Sequence, residues 1–277
     1  MLNKVIKIGI FDSGIGGLTV ARAINNLCPH SSLLYVGDTA HMPWGDKSRA
    51  HITLYSKKIT EFLVQQGCQL IVVACNTASA NSITDISKEF TNVKFFNVID
   101  PIIAFLQKHQ HASIGIIGTK QTIRSGAYQN KIELLLLPSS KTVKVLATPI
   151  LVPLIEEGLI DNKATNLILE QYLSQLDLPD KSVLILGCTH YFLLKKNIED
   201  YYVKIKRQIQ IIDGSALVAN EIRDFLLKDN HGMHSIESSN GYNVESNFYV
   251  TDDSEFFFQT ANKFFANITL DFLPLWE

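Results

Sequence analysis

Apolar residues along this chain follow two rhythms. Short, nearly unbroken runs alternate with longer stretches in which apolar positions recur every three or four residues. The runs are VIKIGIF (5–11), LLYVGD (33–38), LIVVAC (70–75), VKFFNV (93–98), SIGIIGT (113–119), VKVLAT (143–148), VLILGC (183–188) and IQIID (209–213). They are rich in β-branched side chains and bounded by polar or small residues. That is the signature of strands buried on both faces, as in a parallel sheet. Between them, GGLTVARAINNL and HITLYSKKITEFLVQQ carry their apolar residues at helical spacing. Strand–helix alternation of this kind predicts an α/β fold with mainly parallel sheets flanked by helices.

The pattern also repeats. IGIFDSG (8–14) resembles IGIIGTK (114–120), and IVVACNT (71–77) resembles LILGCTH (184–190). Both markers occur twice in the same order, each time with a Cys after the later strand. The economical reading is two pseudo-symmetric α/β domains, and an active site is then expected in the cleft between them. The tail SNFYVTDDSEFFFQTANKFF offers one further strand and a C-terminal helix but no third copy of the markers. It is expected to pack back on the first half. The expected domains are 1–98 plus 210–277, carrying Cys75, and 99–209, carrying Cys188.

Composition narrows the classes. The 277 residues are 46% apolar with a formal net charge of -2, and Lys and Arg are scattered. The short cluster VKIKRQIQ reads as a solvated face, so no nucleic-acid partner is implied. No apolar run is long enough to span a membrane. The first apolar stretch is interrupted by Lys7 and Asp12 and lacks a small-residue cleavage site, which does not fit a signal peptide. The expected location is cytoplasmic. The four cysteines, Cys28, Cys68, Cys75 and Cys188, show no C-x-x-C spacing. That argues against a zinc site, a redox pair or a disulfide framework. Cys28 and Cys68 read as packing or linker residues.

Candidate chemistry gathers after the strands, where open parallel sheets bind ligands. Asp12 and Ser13 follow the first strand, GDTAHMPWGDKS the second, CNTAS and GCTH the two Cys strands, and GTKQTIRSGAY the strand opening the second half. DSGIGG is not the dinucleotide fingerprint, because Thr19 stands at the third Gly position. Asp38 nevertheless mimics an acidic ribose partner, which leaves a nucleotide-binding module as an alternative. Cys75 and Cys188 each precede an expected helix start, a setting that lowers a thiol's pKa. The plainer reading of each is a small buried hydrophobe. Two thiols facing one carbon would suit inversion of a stereocentre, one group removing a proton from one face while the other supplies one to the opposite face. A hydrolase would need one nucleophilic Cys only.

Taken together, IGIFDSGIGGLTV, MPWGDKS, VACNTASA, GTKQTIRSGAY, VPLIEEG and LGCTHYFLL resemble the cofactor-independent glutamate racemases of the aspartate/glutamate racemase superfamily. The motifs lie in family order and span nearly the whole chain. The resemblance implies interconversion of L- and D-glutamate without cofactor or metal, a role in peptidoglycan synthesis, and a homodimer. It implies that Cys75 and Cys188 are the catalytic pair. Asp12 would orient or activate Cys75, and His190 would do so for Cys188 with help from Glu156. Asp12, Ser13, Trp44, Gly45, Asn76, Thr77, Thr189 and His190 would line the substrate site. Family members carry Pro-Tyr-Gly where this chain has Pro43-Trp44-Gly45, so an aromatic wall is kept and a phenol lost. Asp213 and Ser215, in a segment that departs from the family order, read as structural. Within the superfamily, an aspartate or hydantoin racemase or a one-Cys decarboxylase is the alternative.

Overall fold

The computed structural model describes residues 5–109, 113–136, 142–228, 246–253, 255–265 and 270–276. Ten strands fall into two sheets. The first holds β1 (Lys7–Asp12), β2 (Ser32–Gly37), β3 (Leu70–Val73), β4 (Lys94–Asn97), β9 (Asn247–Val250) and β10 (Leu270–Phe272), in the order β10-β9-β2-β1-β3-β4. The second holds β5 (Ser113–Gly118), β6 (Thr142–Ala147), β7 (Ser182–Gly187) and β8 (Ile209–Ile212), in the order β6-β5-β7-β8. Every pairing in both sheets is parallel.

The central strands β1, β3, β5 and β7 are buried almost along their whole length. Each fully buried Ile, Leu or Val there contributes about 1.5–3 kcal/mol. This explains why the strands read as continuous apolar runs rather than as alternating ones. All eight apolar runs are strands, within two residues at either end. The tail strand is β9, which joins the first sheet by pairing with β2, and the expected helix follows at Glu255–Phe264. Strand β10 was not legible: LDF is three residues long and lies at the sheet edge.

The repeat is visible in the topology. The first four strands of each half are ordered second-first-third-fourth. In the first half Gly9 of β1 pairs with Ile71, four residues before Cys75. In the second half Gly115 of β5 pairs with Leu184, four residues before Cys188. The two thiols thus leave equivalent positions of equivalent strands.

The expected crossing back to the first half, between residues 209 and 210, needs correction. Residues Ile209–Ile212 are paired with β7 throughout, so that boundary would cut a strand of the second sheet. The chain turns back after Ile212. Asp213 accepts the backbone N–H of Ser215 (3.0 Å), and helix Ser215–Lys228 then packs on helix Leu18–Leu27 of the first half. Ser215 also bonds Thr19 through their hydroxyls (3.0 Å). Asp213 and Ser215 therefore serve the fold. One apolar cluster runs through both halves, with Ile10 and Leu18 on one side and Ile155 and Leu184 on the other. Cys28 and Cys68 are core residues, and burial pushes both thiols up to about 11.

Candidate active site

Strand ends β1, β3 and β7 converge. Val73 ends β3 and Gly187 ends β7, which places Cys75 and Cys188 just beyond the carboxyl edges of their sheets. Both thiols line one narrow cavity, together with Ser13, Trp44, Gly45, Asn76, Thr77, Thr189 and His190. Positions open to the centre of a water molecule total about 10 Å³, room for roughly one water. The cleft is therefore closed, and an amino acid enters only if the halves separate or side chains move.

Close approach across the cleft depends on Gly16. A methyl group there would lie 2.3 Å from Thr189 Oγ1 and 2.7 Å from the backbone N of His190. Only a residue without Cβ lets the loop after β1 press against the loop after β7. Asp12, fully buried beneath that loop, accepts the Gly14 N–H (3.0 Å) and the Thr189 hydroxyl (3.2 Å). Asp12 thus ties the halves together from behind the cavity, and it does not line it. Burial raises its pKa, against the opposing pull of the His190 charge and the bonds from Gly14, Gly17 and Thr189.

Cys75 sits at the head of the short helix Asn76–Asn81 with its sulfur 3.8 Å from Ser13 Oγ. The expected lowering of its pKa does not occur. Burial and the neighbouring Asp12 charge push the thiol up to about 12, outweighing the Ala78 N–H and the Ser13 contact. Loss of hydration costs the thiolate more than one helix turn returns. The Asp12 charge thus opposes ionisation of Cys75.

The second thiol has a different escort. His190 Nδ1 lies 3.8 Å from Cys188 Sγ, and its Nε2 bonds Glu156 Oε1. Burial alone would lower the imidazole, but the bonds and charges of Cys188 and Glu156 reverse it, and His190 stays well above its ordinary pKa. Glu156 stands behind His190, off the cavity wall. A folded-state pKa above the unfolded value stabilises below the unfolded pKa, near 6.5, and that contribution fades as pH rises through the folded pKa. Glu156→Gln, which keeps the shape and removes the charge, should lower the His190 pKa. Any activity that needs the imidazolium should then fall off at lower pH than in the unsubstituted protein. A kcat/KM–pH profile checks this, and an unmoved alkaline limb would count against it.

Polar groups on the cavity wall are held in place across the cleft. Tyr128 of the second half donates to Asn76 Oδ1 (2.7 Å), which leaves the amide N–H₂ to face another acceptor. Thr77 Oγ1 bonds Thr119 Oγ1 (2.9 Å), and Thr119 bonds Thr122 (3.0 Å). Pro43, Thr119 and Val152 also line the cavity, though sequence reasoning did not single them out. The segment GTKQT had marked Thr119 as a polar strand-end residue, but nothing in it showed that Thr119 faces Thr77. Trp44 is buried, and its indole N–H donates to Asp38 Oδ2 (2.8 Å). The hydroxyl expected at this position is replaced by a donor turned away toward a buried carboxylate. Asp38 also accepts from Thr251 and Trp276, so its oxygens are taken and the ribose role is closed to it. Among the described residues no group of three or more His, Cys, Asp or Glu side chains is placed to hold a metal ion. No helix among them is long and apolar enough to cross a membrane.

Such a molecule is a two-domain α/β enzyme that sets a pair of thiols against one closed cavity. The sequence profile of the Asp/Glu/Hydantoin racemases matches residues 8–222. The glutamate racemase of Aquifex aeolicus is 42% identical over 252 residues, 90% of each chain. Among solved structures, glutamate racemase from Francisella tularensis in complex with D-glutamate superposes with a TM-score of 0.86 at 29% identity, covering 98% of both chains. Glutamate racemase from Thermus thermophilus in complex with β-chloro-D-alanine gives 0.79 at 33% identity, covering 97% of this chain and 96% of that one. The chain belongs to the Asp/Glu/Hydantoin racemase family. Its chemistry is that of an amino-acid racemase, an isomerase.

Proposed function

We propose that this racemase interconverts L- and D-glutamate by proton transfer between two thiols, and that its D-glutamate serves peptidoglycan synthesis. The observation that carries the reading is the placement of Cys75 and Cys188 at equivalent strand ends of the two halves, on one cavity. In each direction one sulfur, as thiolate, takes the Cα proton. The other, as thiol, delivers a proton to the opposite face. The pair finishes with its protonation reversed and resets through solvent. Burial favours the thiol form of Cys75 in the closed state. Cys188 has His190 Nδ1 3.8 Å from its sulfur, an escort that Cys75 lacks.

The α-proton is weakly acidic, so much of the barrier falls to fixed donors on the substrate carboxylate in a dry site. Asn76 Nδ2, the hydroxyls of Thr77 and Ser13, and the N–H groups beyond Cys75 and Cys188 supply those donors. Trp44 shields one side from water. Acid and base are both furnished by side chains, so the reaction needs no cofactor or metal. The relatives bearing the name glutamate racemase support glutamate over aspartate or hydantoin. A homodimer in the cytoplasm completes the reading.

Proton NMR of L-glutamate with the enzyme in heavy water tests substrate and mechanism together. The expected result is loss of the Cα–H signal in step with inversion followed by circular dichroism. Inversion of aspartate with none of glutamate would overturn the substrate, and inversion without solvent deuterium at Cα would overturn the mechanism.

A further inference from the structure

Asp38, at the end of β2, is fully buried and gathers donors from segments far apart in sequence. Its Oδ2 accepts the indole N–H of Trp44 (2.8 Å). Its Oδ1 accepts the Thr251 hydroxyl (2.7 Å) and the indole N–H of Trp276 (2.9 Å). His41 Nδ1 lies 3.1 Å from both oxygens. Trp276 comes from the segment that continues past β10. Its ring stands edge-on to His41 (centroids 4.4 Å apart, 85°) and to Tyr55 (5.2 Å, 72°). Tyr55 in turn packs against Trp44 at 5.7 Å. Two routes, one polar through Asp38 and one aromatic through Tyr55, therefore run from Trp276 to the ring that walls the cavity.

We propose that Trp276 is a positioning residue for racemisation, holding Trp44 against the substrate cavity through Asp38 and Tyr55. The proposal rests on the glutamate racemase reading for its kinetic readout. A buried carboxylate with every lone pair engaged is a rigid anchor, and charge-assisted bonds to it are the strong ones. With the Trp276 N–H gone, Oδ1 keeps the Thr251 hydroxyl and only a share of His41 Nδ1, which lies equally close to Oδ2, and the carboxylate gains freedom to turn about its Cβ–Cγ bond. Trp44 then loses its fixed acceptor on the side away from the cavity. The thiols stand on β3 and β7 and are untouched, so the substrate enclosure loosens while the proton-transfer groups stay in place. That separation predicts an effect on KM more than on kcat.

The experiment uses the full chain labelled with 5-fluorotryptophan. Trp44 and Trp276 are its two tryptophans, so the fluorine spectrum holds two lines, assigned with Trp44→Phe and Trp276→Phe. In Trp276→Phe, which keeps a ring against Tyr55 and His41, the remaining Trp44 line should shift and broaden. The KM for L-glutamate should rise about tenfold with kcat held within about threefold. Trp276→Tyr replaces it should Trp276→Phe yield no folded protein. Asp38→Asn should give the same pattern, and the double variant should fall short of the sum, as expected of groups acting through one contact. An unmoved Trp44 line overturns the proposal, even where kcat or the melting temperature falls. So does a moved line with KM unchanged. If the unsubstituted protein leaves glutamate untouched, it is the racemase reading that fails, and the Trp44 line alone then decides the link to Trp276.

Discussion

Cys75→Ser and Cys188→Ser should each cut net racemisation of glutamate by at least about a thousandfold. A serine hydroxyl at either position is far too weak an acid and its alkoxide far too costly to form, so one face of the carbon loses its proton carrier. General acid–base groups contribute about 10²–10⁴-fold each, and a thousandfold is about 4 kcal/mol of barrier. The remaining thiol still works on its own face. Each variant should therefore exchange the Cα proton of one enantiomer with solvent faster than it inverts it, and the two variants should prefer opposite enantiomers. Circular dichroism measures the inversion, and NMR in heavy water measures the exchange. Full racemisation in either variant is incompatible with two carriers. The same preference in both would mean that the sulfurs do not flank the substrate on opposite sides. Ser is close to Cys in volume, and the melting temperature of each variant separates a loss of proton transfer from a loss of fold at these buried positions.

Gly16→Ala should be nearly as damaging without touching a group that carries protons. Its new methyl would meet Thr189 Oγ1 at 2.3 Å and the backbone N of His190 at 2.7 Å. The hydroxyl can rotate away, but the backbone of the loop after β7 cannot yield without moving Cys188 and His190 with it. Either the loops part or the halves stay open. Misplacing a reacting group by about 1 Å costs on the order of a hundredfold, or about 2.7 kcal/mol of barrier. The expected outcome is a kcat/KM lower by about that factor together with a reduced melting temperature, because the Asp12–Thr189 bond weakens as well. Unchanged kinetics would show that the closed arrangement is not the one in which proton transfer takes place.

Much of this was legible in the chain alone, and for a definite reason. Burial on both faces forces parallel strands into continuous apolar runs, so eight strands stand out by composition. Strand β10 does not, since three residues at a sheet edge need no such run. The residues after each strand are visible in the same way: a polar cluster directly after an apolar run lies at the carboxyl edge of the sheet whatever the tertiary arrangement. That is how Cys75, Cys188, Ser13, Asn76, Thr77 and Thr189 were reached. The repeat of Gly9 and Cys75 in Gly115 and Cys188 also carried the pseudo-symmetry through the order of the markers, although the spacing differs, 66 residues in the first half and 73 in the second.

The sequence by itself therefore determined which residues stand at the strand ends and that two halves present matching thiols. Only the tertiary structure decided what each of them faces. The ionisation of Cys75 follows burial and the nearby Asp12, not the helix turn that the local sequence displays. Asp12 and Glu156 support the cavity from behind, although their motifs suggested nothing about depth. Thr119 meets Thr77 from the other half, and Trp276 meets Asp38 across more than two hundred residues of chain. Local patterns encode elements because backbone periodicity is short-ranged. Desolvation and long-range partners are properties of the packed whole, and no spacing along the chain records them.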